Sequence, residues 1–175
     1  MPKPRKMLTD CNAPYIVSLM RLIETQSKVT IANWCVSYAE ANLLPIWEKT
    51  FPDDGRPRAA LRAARDWLEG KIKLPAAKKV ILDAHAAARE AEGYPAQQGA
   101  ARAIGQAAST IHSATHSLGL PLYGSLAIAY DRIGVNSSWE ELLRVAEEEC
   151  WKMDAALRAV AVDNEPNPAK VNWKC

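Results

Sequence analysis

The chain has 175 residues, of which 30 are alanine and six tryptophan, with a single phenylalanine, Phe51. Alanine has the highest intrinsic helix propensity, so this composition excludes an all-β sandwich or barrel and points to helices packed over small side chains, with tryptophans filling the larger gaps. The net charge of +2 is outweighed by Lys3, Arg5 and Lys6 alone, and the remainder carries −1, so the concentrated basic stripe of a nucleic-acid binder is missing.

In chain order, residues 1–13 read as a basic N-terminal extension, 14–162 as one helical domain and 163–175 as a flexible tail containing Pro166 and Pro168. The first helix spans about Tyr15 to Glu24, with Ile16, Leu19, Met20 and Ile23 on one face. Ser27 caps a second helix whose stripe is Ile31, Trp34, Cys35 and Tyr38. Pro45 predicts a break near Leu43, before a short segment from Ile46 to Thr50. After the turn Phe51 to Gly55, Pro57 opens a helix burying Ala60, Leu61, Ala64, Trp67 and Leu68. Pro75 opens the next, with Val80, Ile81, Ala84, Ala87, Ala88 and Ala91 inward.

From Ala103 to Tyr130 the chain holds no Asp, Glu, Lys or Arg. That length exceeds a bilayer span, but four serines, two threonines, two histidines, Gln106 and Pro121 make partition into lipid unfavourable. The stretch reads instead as the centre of the bundle: a helix from about Gln97 to Leu118 capped by Gly119, then another from Pro121 to Arg132 closed at Gly134. Ser138 and Glu141 form a capping box for the last helix. Along it, Trp139, Leu143, Ala146, Cys150, Met153, Leu157 and Val160 make a coiled-coil-like seam, which serves either packing within the bundle or a homo-oligomer. Glu147 to Glu149 read as its solvated side. The expected architecture is a single-domain all-α bundle of six to seven helices around closely packed Ala/Gly/Ser-rich central helices.

Cys11, Cys35, Cys150 and Cys175 lack the close spacing of a zinc or redox motif. Cys35 and Cys150 read as small buried hydrophobes, and the cytoplasm is the simplest compartment. His112 and His116 sit four residues apart, on one face if the stretch is helical, and His85 is the third imidazole. Such a set suits zinc or nickel, and a metal-binding bundle, with or without enzymatic activity, is the alternative reading. With Ser109, Ser113 and Thr115 the two histidines equally fit a buried hydrogen-bond network. No carboxylate accompanies them to complete a hydrolase triad, so catalysis is not expected. Asp53, Asp54, Arg56 and Arg58 concentrate charge at a helix start, either as pairs that hold the connector or as a partner-binding edge.

Three ordered segments carry a family resemblance: Asp54-Gly-Arg-Pro-Arg through Trp67, Ala84-His-Ala-Ala-Ala-Arg89, and Gly105 through His116 with Leu118-Gly119. Together with Trp34, Cys35 and Leu44 to Trp47 they resemble a family of all-helical bacterial proteins described as putative immunity proteins. The resemblance implies a chain that binds and neutralises a cognate toxin inside the producing cell. Together with the charge distribution and the polar content of the charge-free stretch, the expectation is a protein-binding module without catalysis, cofactor, nucleic-acid or membrane partner. A chain so near neutrality further points to a toxin that is not strongly basic, or to a mainly apolar interface.

Overall fold

The computed structural model describes residues 3–175, and among them the regular structure is entirely helical. Seven long helices are α1 (Pro14–Ile23), α2 (Lys28–Asn42), α4 (Arg56–Leu68), α5 (Leu74–Glu90), α6 (Pro95–Ser109), α7 (Ser125–Ile133) and α8 (Trp139–Val160); the five-residue α3 (Leu44–Glu48) follows α2 directly. Local chemistry places most boundaries. The Ser27 side chain accepts from Thr30 N–H at the start of α2, and Ser138 and Glu141 form the full capping box of α8. Proline occupies the first turn of α3, α4, α5 and α6, where its missing N–H costs nothing. Leu43 separates α2 from α3, as Pro45 dictates, and the break turns Trp47 into a pocket of Ala87, Ala88, Ala91 and Ala101.

Helix α6 is the hub. It packs against α2, α3, α4, α5 and α7, while α8 packs against α7, α1 and α2. Ten of its fifteen residues are buried, and all but Ile104 are Ala, Gly or Ser. A Cβ added at Gly99 would lie 3.0 Å from Cβ of Ala127, which shows how closely α6 and α7 approach. The expected inner faces largely recur: Ile16, Leu19, Met20 and Ile23 in α1, Ala60, Leu61 and Ala64 in α4, and Ile81, Ala84, Ala87 and Ala88 in α5 are buried, whereas Trp67, Leu68 and Val80 are only half-buried against the edge of the core.

The charge-free stretch departs from the expected pair of helices. α6 stops at Ser109, and the chain passes through a turn, a 3₁₀ segment at Ala114–Leu118 and a π-helical segment at Leu120–Gly124 before α7. Four of its six serine and threonine hydroxyls are absorbed locally: Ser109, Thr110, Ser117 and Ser125 each donate to a carbonyl three or four residues back. Gly119 is not a left-handed cap; its φ is −60°, and a Cβ there would overlap the Gln106 side chain. Gly134, at φ +91°, does end its helix as expected. No helix among the described residues is long and apolar enough to cross a membrane.

On α8 the seam residues Ala146, Cys150, Met153 and Leu157 are spent on the chain's own core. Glu149 lies inside and not on the solvated side: it accepts from Arg132 at 2.6 Å, Lys152 at 2.8 Å and the Tyr38 hydroxyl at 3.3 Å. Burial raises its pKa, and the two cations more than compensate and hold the carboxyl below its ordinary range. Asp154 is likewise buried, between Ser18 and Arg158. Beyond α8 the chain has no helix or strand, yet it is tied back, with Ala169 N–H donating to Gln26 and Trp173 Nε1 to Glu24. Cys175 thereby reaches Cys11, with Cα atoms 6.1 Å apart, and the two form a disulfide that their spacing of 164 residues did not announce. Cys35 and Cys150 are free and buried.

Ala84 and Ala107 are fully buried at small-residue contacts. Replacing either with leucine should overpack the bundle and cost about 1 to 3 kcal/mol. Urea denaturation reads this directly, and an unchanged midpoint in both variants would place these faces wrongly.

Candidate functional site

Helices α5 and α6 run side by side in opposite directions, so that Ala88 meets Gln98 and, one turn further, His85 meets Arg102 and Gly105. The His85 ring fills the space that Gly105 leaves: a Cβ on that glycine would lie 2.6 Å from His85 Cε1. On the same side Arg102 Nη1 lies 2.8 Å from His85 Nδ1. A guanidinium can only donate, so Nδ1 is the acceptor and the His85 proton sits on Nε2. His116 Nδ1 lies 2.8 Å from Oε1 of Gln106, one turn after Arg102 on α6, so its proton is on Nδ1.

His112 and His116 are neighbours, with ring centroids 5.2 Å apart and edge to face. They are not on one face of an α-helix, however. His112 lies in the turn after α6 and His116 in the 3₁₀ segment, and it is the folding back of residues 110–118 that joins them. Nδ1 of His112 is buried without a hydrogen-bond partner. Ser109 bonds to Gly105 carbonyl and not to a histidine, so the polar network runs through Arg102 and Gln106 instead of the expected hydroxyls.

Burial first, then the charges of Arg102, His116 and Arg89, push His85 down to about 4. Burial also lowers His112, with help from His116 and Lys78, and it lowers His116. All three imidazoles are therefore neutral near pH 7. Neutral imidazoles are the form that binds zinc, but His85 directs one nitrogen at a cation. No group of three or more His, Cys, Asp or Glu side chains gathers as a metal site among the described residues. What the arrangement does is fix the close α5–α6 packing and hold a half-buried guanidinium, Arg102, at the surface between these helices.

The charged edge at the start of α4 is occupied with itself. Asp54 accepts from Arg56 Nε at 2.9 Å and Nη2 at 2.7 Å, Arg56 reaches on to Glu90 at 2.6 Å, and Arg58 pairs with Glu48 at 2.5 Å. The Arg56 hydrogen bonds, opposed by burial, hold the Asp54 carboxyl below its usual range. These pairs tie the connector to α3 and α5; Asp53 stands exposed beside them. Arg102 and Gln106 were not among the residues singled out from sequence, although Arg102 is the last charge before the charge-free stretch and Gln106 lies four positions on.

Two outcomes follow. Gly105→Ala should destabilise the fold by about 1 to 3 kcal/mol by displacing the His85 ring; in a His85→Ala background the same change should become neutral or stabilising by up to about 1 kcal/mol, since alanine is then the better helix former. The second concerns pH. Unfolded, His85 takes up its proton near 6.5, whereas folded it resists until about 4, so the unfolded chain binds more protons between these values. Stability should thus be flat just above about pH 6.5 and fall as the pH drops toward 4. Melting curves of His85→Gln should show a shallower fall, and an identical slope would remove His85 from the site's account.

No curated protein and no solved structure matches the chain. The family described as Imm-5 like putative immunity protein does match, over residues 21–156. That segment begins within α1 and ends within α8, and it takes in the whole α5–α6 pair with its histidine and arginine network. With more than three quarters of its length matched, the chain belongs to the family described as Imm-5 like putative immunity protein.

Proposed function

We propose that this chain neutralises a cognate bacterial toxin by binding it, without catalysis of its own. The observation that carries this reading is the family match across residues 21–156, since it covers the hub helix and nearly all of its neighbours. The geometry is compatible with it. His85 and His116 are tied to Arg102 and Gln106, and the hydroxyls of Ser109 and Ser117 to backbone carbonyls, so these groups are not arranged as a hydrolase would need them. The α8 seam is largely consumed inside the chain, so a toxin would meet other surfaces. Neutralisation of this kind takes place in the cytoplasm of the producing cell. There the Cys11–Cys175 bond would open, and the tail would stay attached through Gln26 and Glu24.

The test is co-expression with a candidate toxin, taken as the product of a neighbouring gene that arrests growth when expressed alone. The toxin alone should arrest growth; with this chain present growth should resume and the two proteins should co-purify as a stoichiometric complex. Continued arrest, or rescue with no complex, would overturn the proposal.

A further inference from the structure

A cleft of about 660 Å³ opens where the N-terminal segment crosses the end of α5 and the first turns of α6. Lys3, Arg5, Lys6, Arg89 and Arg102 line it, and Glu92 is its one carboxylate. The cleft therefore carries +4 in a chain whose total is +2, which leaves the rest of the molecule net negative. Like charges held this close repel, and walls of low dielectric strengthen the field between them. Internal compensation is slight. Glu92 is spent on Lys3, at 3.1 Å, with both side chains largely exposed. Arg5 lies 4.1 Å over the Trp139 ring, which fixes its position without cancelling its charge. Arg102 has only the neutral His85 imidazole as a side-chain hydrogen-bond partner, and Arg89 makes no ion pair among the described residues.

The N-terminal wall is held in place. Leu8 is buried and its N–H donates to Leu122 carbonyl, and the Tyr130 hydroxyl donates to Arg5 carbonyl. Between the cations, Pro95, Tyr123 and Val135 supply apolar wall. A bare inorganic anion would reach one or two of these cations and leave most of the volume and the apolar wall unused. A loop of polypeptide fills such a space, with carbon stems against the wall and carboxylates on the guanidinium groups.

We infer that this cleft is the docking site for an acidic loop of the partner protein, with Arg89 and Arg102 taking its carboxylates and the N-terminal cations steering its approach. The inference rests on the protein-binding reading above and sharpens it: the near-neutral net charge hides a strongly positive site, so the partner is acidic where it docks.

The probe is a fluorescent decapeptide of alternating glutamate and glycine, titrated by anisotropy into the full chain at low salt, with a lysine–glycine peptide as control. The acidic peptide should bind and the basic one should not. Arg89→Ala, at an exposed residue without hydrogen bonds, and Arg102→Gln should each weaken binding by about fivefold or more, and moderate salt by about tenfold. Arg144→Ala, on the exposed side of α8, should leave it unchanged. Failure of the acidic peptide to bind, binding indifferent to Arg89 and Arg102, or displacement by pyrophosphate more readily than by unlabelled peptide would each overturn the assignment. The last result would make the cleft a site for small phosphate compounds. The Arg89→Ala/Arg102→Gln pair is then tested against the toxin. If that variant still neutralises, the cleft is wrong and the immunity reading stands. If the wild-type chain binds the peptide but never neutralises, the cleft is right and the immunity reading falls.

Discussion

Nine of the ten buried positions of α6 carry alanine, glycine or serine, and that lack of bulk lets one helix touch five others at once. Small side chains bury little apolar area each, so such a helix contributes less per residue through water exclusion than a leucine-rich one. What it supplies is proximity. Backbones come close enough for dispersion contacts along their whole length, and the larger groups, Trp47 above all, are displaced to the flanks where the alanines of α5 receive them. The same closeness makes the core intolerant of added volume, at Gly99 against Ala127 and at Gly105 against His85.

The segment between α6 and α7 solves a problem this hub creates. A chain leaving the centre of a bundle must turn while buried, where water cannot satisfy its free backbone groups. Residues 110–124 turn through short 3₁₀ and π-helical pieces, and serine and threonine hydroxyls bond back to nearby carbonyls. The absence of charge from 103 to 130 is thus a consequence of position. Most residues there are buried and none is exposed, so an ionised side chain would lose much of its water. Where carboxylates do enter the interior, at Glu149 and Asp154, arginine, lysine or a hydroxyl meets each of them.

Charge is distributed as sharply as bulk. Along the α3–α4 connector it is paired off within the chain, Arg56 with Asp54 and Arg58 with Glu48, at modest energetic return because these groups are partly or largely exposed; on α8 the pairs run from the exposed Arg144–Glu148 to the buried carboxylates of Glu149 and Asp154. At the α5–α6 turn it is left open, and the histidine packed on Gly105 props Arg102 beside Arg89 without neutralising it. One small-residue contact therefore links packing to the proposed docking cleft: the glycine that admits His85 also sets where the guanidinium stands.

Local rules were legible in the sequence wherever a residue acts on its own neighbours. Ser27, the Ser138–Glu141 box, the prolines at helix starts and the break before Pro45 each operate over three or four residues, and the inner faces of α1, α4 and α5 follow from the period of the helix. The motifs at Asp54, Ala84 and Gly105 carried the family. Only the tertiary structure decided what depends on distant partners. Nothing between Gln106 and Leu118 breaks a helix, so the turn after Ser109 comes from packing and not from propensity. The buried Glu149 could not be told from its exposed neighbours Glu147 and Glu148 without Arg132 and Tyr38. Cys11 with Cys175, and His85 with Arg102, are pairs that exist because helices and tail return to the same place. A sequence specifies contacts of short range through backbone geometry, whereas the meeting of remote side chains is settled by how closely the helices between them can pack.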